Sequence, residues 1–276
     1  MNMRKLISKL FYPLLLLFII CYLSPIVWLF LSSVKTNQEI SKNPWAVPTE
    51  FRWENFQEAW QTANLSQYFV NSLLVGVSSS IVTIFIGAMA AFALSRLKFK
   101  KANFLIYQYF LLGLLIPVNA LLIPLYLIVN DLYLYGSHWA LILTYTAFNL
   151  PITIFILVSF MVHFPSELEE AGIIDGCGIF RLFWNVLLPI TRPALATVLI
   201  LNLLNNWNEF ILALLFNSNQ QMRTVPVGLA NFASQYQVNY ATLSAGALLT
   251  IFPIIVMFIV LQKQVIEGMS AGAVKG

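Results

Sequence analysis

Between Leu10 and Val34 the chain carries no charged residue. That run is longer than the roughly 20 apolar residues needed to cross the hydrocarbon core of a bilayer. It is also too long for a signal-peptide core, lacks a convincing cleavage site, and reads as a retained first span. Hydrocarbon offers no partner to a backbone N–H or C=O, so such a run must be helical. Pro13 and Pro25 kink it, which a membrane helix tolerates where neighbours satisfy the freed carbonyls. The same constraint extends along the whole chain, which is 59% hydrophobic and only 9% charged. A soluble domain carries about a quarter charged residues. The expected class is therefore an all-α, multi-pass protein of the cell membrane, plasma or inner, in contact with lipid.

Five further apolar stretches follow. Residues 35–67 are polar, with Trp45, Trp53 and Trp60, and predict a surface loop with a short amphipathic helix near 53–63. Its tryptophans suit the membrane interface, with a partner surface as the second reading. The second span, about 69–95, has a small-residue face of Gly76, Ser78–Ser80, Gly87, Ala88, Ala90 and Ala91, as helices in close approach require. The third, about 104–129, is broken by Pro117 and Pro124, with Asn119 between them facing either a pathway or a neighbouring helix. The fourth covers 139–162, the fifth 194–216 and the sixth 240–261. A polar, nearly uncharged loop, 217–239, separates the last two.

Six spans put both ends on one side. Arg4, Lys5, Lys9, Arg96, Lys98, Lys100, Lys101, Arg181, Arg192, Lys263 and Lys275 then share the side of the termini. Lys35, Lys42, Arg52 and Arg223 lie opposite, completing the 15 lysines and arginines. The positive-inside rule makes the larger set cytoplasmic. A net charge of +4, scattered in this way, offers no nucleic-acid surface. Cys21 and Cys177 read as small packing residues, and His138 and His163 stand apart from other metal-ligand types. A phosphate-binding G-x-x-x-x-G-K-[ST] loop is absent from the sequence.

The longest polar interruption of the second half is EEAGIIDGCGIFRLFWNVLLPITRP, Glu169–Pro193. Pro165 suits a first helical position, and Glu167, Glu169 and Glu170 suit a helix N-terminus. Gly176 is the expected stop. A second short helix follows, with Phe180, Phe183, Trp184 and Leu187 on one face, ended by Pro189. The acids, with Asp175, serve either to cap a helix or to dock a basic partner. Glu209 is the only carboxylate inside an apolar span, about 22 Å along the fifth at 1.5 Å per residue. It either hydrogen-bonds with Asn205 or Asn208 or lines a polar path with them. One such acid without a charged relay argues against an ion-coupled carrier. The chain thus offers a membrane path without an energy source.

This elbow resembles the EAA loop of ABC-importer permeases, with Glu170, Ala171 and Gly172 at E-A-A, Asp175 and Gly176 at its D-G, and Val186, Leu188 and Pro189 at I-x-L-P. Gly172 replaces the second alanine. WNEF, at Trp207–Phe210, is similar to W-N-[DE]-F of carbohydrate-importer permeases, and the ending Gly268–Gly276 is similar to the tail of their MalG-type subunits. The resemblance implies a type I ABC-importer permease fold with six transmembrane helices. It divides the chain into 1–68 (N-terminal segment, first span and outer loop), a permease core at 69–261 with its coupling loop at 163–192, and a cytoplasmic tail at 262–276. It implies a non-enzymatic subunit of a sugar importer, with an ABC permease for glycerol phosphate, a non-ABC carrier or a scaffold as alternatives. The implied partners are a second, MalF-type permease, an extracytoplasmic solute-binding protein and two cytoplasmic ATPase subunits, which hold ATP and Mg. Glu170, Ala171, Gly172, Asp175, Gly176 and Pro189 become coupling residues. Asn119, Asn205, Asn208 and Glu209 are the path candidates. The tail is expected to touch the ATPases, and the 217–239 loop to face the binding protein.

Overall fold

Helices and their connections account for all the described residues of the computed structural model, which are 3–61, 64–97, 99–165, 167–217, 219–234 and 239–273. In chain order the helices are α1 (Met3–Ser33), α2 (Asn37–Lys42), α3 (Glu54–Gln61), α4 (Leu65–Arg96), α5 (Lys100–Gly113), α6 (Leu122–Asp131), α7 (His138–Met161), α8 (Glu167–Ile174), α9 (Ile179–Leu182), α10 (Leu188–Ile190), α11 (Arg192–Asn208), α12 (Ile211–Phe216), α13 (Val225–Ser234) and α14 (Tyr240–Ala273). Four of them, α1, α4, α7 and α14, are long and apolar enough to span a bilayer. Two bent pairs bring the number to six if each is one span: α5 with Val118–Asp131, bent by 92°, and Ile179–Ile190 with α11, bent by 76°. The third expected span is thus broken at Pro117, as its prolines predict. The sixth candidate span, Tyr240–Val260, matches the expected 240–261, and its helix α14 continues beyond it to Ala273.

The chain divides into two compact units. In the unit made of Met1–Ser66 and Gly228–Pro253, the polar segment after α1 closes the end of that helix. Asn55 Nδ2 donates to the carbonyls of Ser33 and Lys35, 2.9 Å each, and Arg52 N–H donates to that of Val34 at 2.9 Å. These bonds take up carbonyls that a helix end leaves unpaired. Lys35 is buried, and its Nζ donates to Pro44 O at 2.8 Å. Burial lowers its pKa, and the charge of Glu39 opposes the shift. Thr36 and Glu39 form a capping box on α2, and Glu39 also accepts from Thr49 Oγ1 at 2.7 Å. On α14, Thr242 Oγ1 donates to Glu58 at 3.0 Å and Ala241 N–H to Asn37 Oδ1 at 3.1 Å. The expected short helix is α3, beside an exposed Trp53.

In the unit made of Gln67–Val227 and Ile254–Gly276, α4 and α7 form the spine. Small residues recur along α4 at helical spacing, and Ser79, Ser80, Thr83, Ala88 and Ala91 are all buried. The three hydroxyls donate to carbonyls of their own helix, such as Ser80 Oγ to Gly76 O at 2.6 Å, so they remain compact and satisfied without water. At Gly87 an added Cβ would lie 2.6 Å from Thr153 Cγ2 of α7. One apolar cluster includes Val75, Leu141, Tyr145, Leu212 and Phe216, and another Ala91, Leu157, Met161, Leu182 and Leu187. Leu105, Leu112, Ile123 and Leu127 are exposed, as side chains that face lipid tails must be.

Two expectations follow. Gly87→Ala should destabilise the detergent-solubilised protein by about 1–3 kcal/mol through overpacking. Gly76→Ala should not, since its Cβ would stand 3.8 Å from the nearest contact. Thermal unfolding should show recovery when Thr153→Ser removes the opposing methyl. The second concerns Glu39, whose carboxyl is held at about 2 rather than 4.5, first by the Thr36 N–H and then by Thr49 and Thr36 hydroxyls. A depressed folded pKa means that this stabilisation is complete above 4.5 and is lost as pH falls toward 2. Hydrogen-exchange protection at α2 should fall across that window, and Glu39→Gln should abolish the dependence.

Candidate functional site

The elbow begins with α8, whose first turn carries Glu167, Glu169 and Glu170. Its far end is closed by two nested bonds, Cys177 N–H to Gly172 O at 2.9 Å and Gly176 N–H to Ile173 O at 3.0 Å. Gly176 sits between them at φ +77°, the left-handed geometry that closes a Schellman motif. The expected stop is thus where the sequence puts it. Gly172 is buried, and a Cβ there would lie 2.9 Å from Leu182 Cδ1. The glycine at the second alanine position therefore lets the two arms of the elbow close on each other.

The second arm differs from the expected α-helix ended by Pro189. It runs as α9, a π-helical turn at Phe183–Leu187, then α10, and the chain bends only at Thr191. Pro189 has no N–H to give to the preceding turn, and the wider π turn lies immediately before it. The π turn also changes the phase of the helix. Phe183 and Leu187 are buried as expected, but Phe180 is 75% exposed, Trp184 is 48% exposed, and Leu182 takes the inward place. The outward surface carries Glu170, Ala171, Asp175 and Gly176 around exposed Ile173, Ile174, Ile179 and Phe180. It is an apolar patch with an acidic rim.

The acids of α8 do not act alike. Glu169 Oε1 lies 2.7 Å from Arg96 Nε, with both side chains mostly buried, while Glu167 and Glu170 are exposed. By sequence alone Arg96 is one of the basic residues on the side of the termini and Glu169 an acid at a helix N-terminus. Their pairing across 73 positions carries no local signal.

The path candidates separate in the same way. Asn119 lies exposed in a 3₁₀ turn, Val118–Leu121, and Asn208 is exposed with its amide bonded to Leu204 O of its own helix at 2.9 Å. Asn205 is exposed and donates to Asn149 Oδ1 at 3.2 Å. Asn149 donates to Asn206 Oδ1 at 2.8 Å, and Asn206 donates to Ser79 Oγ at 2.8 Å and Ser80 Oγ at 3.1 Å. Asn202 and Thr153 pair at 3.2 Å one turn away. A buried polar seam thus joins α4, α7 and α11. Asn149, Asn202 and Asn206 were not singled out as site residues. The usable signal was the four-residue spacing of Asn149 with Thr153 and of Asn202 with Asn206, which sets each pair on one helix face.

Glu209 is not inside a continuous helix. α11 ends at Asn208, and Glu209 is extended, with ψ 125°. Its carboxylate accepts from Leu212 N–H at 2.8 Å and Ala213 N–H at 3.0 Å, capping α12, and from Tyr145 OH at 2.8 Å. The expected partners, Asn205 and Asn208, are replaced by a helix N-terminus and a buried tyrosine. A carboxylate is stable there because the N–H groups and the dipole of α12 point at it.

Bent spans, an internal polar seam and a separately capped elbow define a polytopic membrane permease. The chain belongs to the family of binding-protein-dependent transport system inner membrane components, which it matches over residues 83–266. It is 38% identical to a probable ABC transporter permease protein, YurM, of Bacillus subtilis (strain 168), over 95% of this chain and 87% of that one. It is 37% identical to the diacetylchitobiose uptake system permease protein NgcG of Streptomyces coelicolor, with the same coverage. Among solved structures, a chain of a bacterial ABC transporter involved in import of the acidic polysaccharide alginate superposes with a TM-score of 0.84 at 20% identity, over 95% of this chain and 98% of that one. The fold is that of type I ABC-importer permeases, and the chain is a transport subunit rather than an enzyme.

Glu209→Ala should cost about 1–3 kcal/mol, combining a lost cap with an unpaired tyrosine hydroxyl. Tyr145→Phe combined with Glu209→Ala should cost less than the sum of the two single changes, measured by thermal unfolding in detergent.

Proposed function

We propose that this chain is the MalG-type permease subunit of an ATP-driven, binding-protein-dependent importer of a sugar or oligosaccharide. The observation that carries the reading is the outward face of the elbow, where Glu170 and Asp175 rim an apolar patch on a firmly capped arm. Such a patch suits a groove on an ATPase subunit with basic residues along its edge. ATP-driven closure of two cytoplasmic ATPase subunits, which hold the ATP and Mg, would move the elbow and shift the spans between inward- and outward-facing states. A second, MalF-type permease would complete the path, to which Asn119, Asn205 and Asn208 would present amides. The same assignment makes Ala171, Gly172, Gly176 and Pro189 the shape-determining members of the coupling element and puts both termini in the cytoplasm.

The sugar assignment is supported by WNEF, Trp207–Phe210, and by the NgcG relative, named for diacetylchitobiose uptake. The family description itself carries the dependence on a binding protein. The outer 217–239 loop is assigned to that protein, although its residues 235–238 lie outside the described ones. The tail is assigned to the ATPase pair, and 274–276 likewise lie outside the described residues.

Glu170→Lys should leave the protein in the membrane and reduce transport by about tenfold or more, with loss of ATPase co-purification, as like charges meet. Gly176→Val, which forces a branched residue to φ +77° at a cost of about 1–2 kcal/mol, should impair transport more than Ala171→Ser. Unchanged transport and co-purification in Glu170→Lys would count against the docking assignment.

A further inference from the structure

Glu169 and Glu170 are neighbours on α8 with opposite orientations. Glu170 is exposed on the outward face, whereas Glu169 is mostly buried against Arg96. The guanidinium of Arg96 has two other attachments. Its Nη2 donates to Met161 O at 2.6 Å and to Phe164 O at 3.1 Å. Met161 is the last residue of α7, and Phe164 lies just beyond it. Arg96 itself is the last residue of α4. A single planar side chain thus joins the ends of two spans to the first turn of the elbow.

We propose that Arg96 is the positioning residue that carries movement of the elbow into α4 and α7. The inference rests on the coupling role argued above. The elbow has a second anchor, the apolar contacts of Leu182, Phe183 and Leu187 with Ala91, Phe92 and Met161. Apolar packing is non-directional and tolerates sliding. The guanidinium adds two hydrogen bonds from Nη2 to the Met161 and Phe164 carbonyls, which are directional, and an ion pair with Glu169, which acts through distance. Met161 O also accepts from Phe164 N–H at 3.2 Å, so Arg96 is tied to both ends of the turn that closes α7. A partner that pushes on Glu170 therefore acts one residue from the only ion pair among the described residues. With both side chains largely screened from water, that pair resists stretching more than an exposed one would.

The test needs no transported solute. Cys21→Ser and Cys177→Ser remove the native thiols, and Asn208→Cys supplies an exposed reporter on α11. The complex with its partner permease and ATPases is reconstituted, and labelling by a membrane-impermeant maleimide is compared with and without ATP plus vanadate. In this background nucleotide should change the labelling rate. Absence of any change would overturn the coupling reading and the clamp with it. Arg96→Met and Glu169→Gln should each shrink the nucleotide effect by about fivefold while the ATPase still co-purifies, and the double variant should be no worse than the stronger single one. Should Arg96→Met fail to assemble, Glu169→Gln, which keeps the side-chain shape, decides alone. A full nucleotide response in Glu169→Gln would overturn the clamp and leave the coupling reading standing. Independent, multiplying effects in the double variant would overturn it as well.

Discussion

Every polar group that enters hydrocarbon must find its partner within the protein, and this requirement shapes each irregular feature of the chain. At several helix ends a side chain meets the backbone groups there. Asn103 Nδ2 donates to Leu97 O at 2.7 Å and to Ala93 and Leu94 carbonyls near the end of α4. Arg96 does the same at the end of α7. At the α11–α12 break the groups are N–H donors, and a carboxylate, Glu209, meets them. Donor side chains stand at helix C-termini and an acceptor at a helix N-terminus, as the dipole and the unpaired groups demand.

The polar seam follows from the same requirement. An amide in the interior of a bundle has both donors and an acceptor to satisfy. Asn206 donates to two serines of α4 and accepts from Asn149 of α7, so three helices must hold one register for it to be satisfied. Apolar residues in lipid could slide along one another at little cost. The seam opposes sliding, and the small residues of α4 let the helices approach closely enough for such bonds to form. One end of the seam, through Asn205, reaches the exposed surface. Such a line fixes the register of the three helices and leaves one of its amides on the surface.

Legibility in the sequence tracked how local each determinant was. The long spans, the break at Pro117, the short α3 and the glycine stop at Gly176 are set by runs, prolines and capping chemistry within a few residues. The fold class followed from these and from the scarcity of charge. Departures arose where distant residues decide. Glu209 read as an intramembrane acid because the break beside it has no proline or glycine, and its partner, Tyr145, lies in another helix. Phe180 and Trp184 read as sharing a face with Phe183 and Leu187 because a fixed period is projected through residues that adopt a π turn. Arg96 and Glu169 each had a sufficient local explanation, and that concealed their pairing.

The two neighbouring acids of α8 show how one short helix can hold two roles apart. Adjacent residues on a helix point about 100° from each other, given 3.6 residues per turn. A single Glu-Glu pair can therefore place one carboxylate on an outer partner surface and one against an internal cation. In the proposed coupling role the outer carboxylate, being exposed, would exchange partners as a complex cycles, and the inner one, being screened, would keep its ion pair. Coupling would need both properties at one point, because a contact that only exchanges transmits nothing and a contact that never exchanges cannot be driven. Their adjacency keeps the intervening backbone short and helical, which would leave little compliance between a surface that received movement and the guanidinium proposed to pass it to α4 and α7.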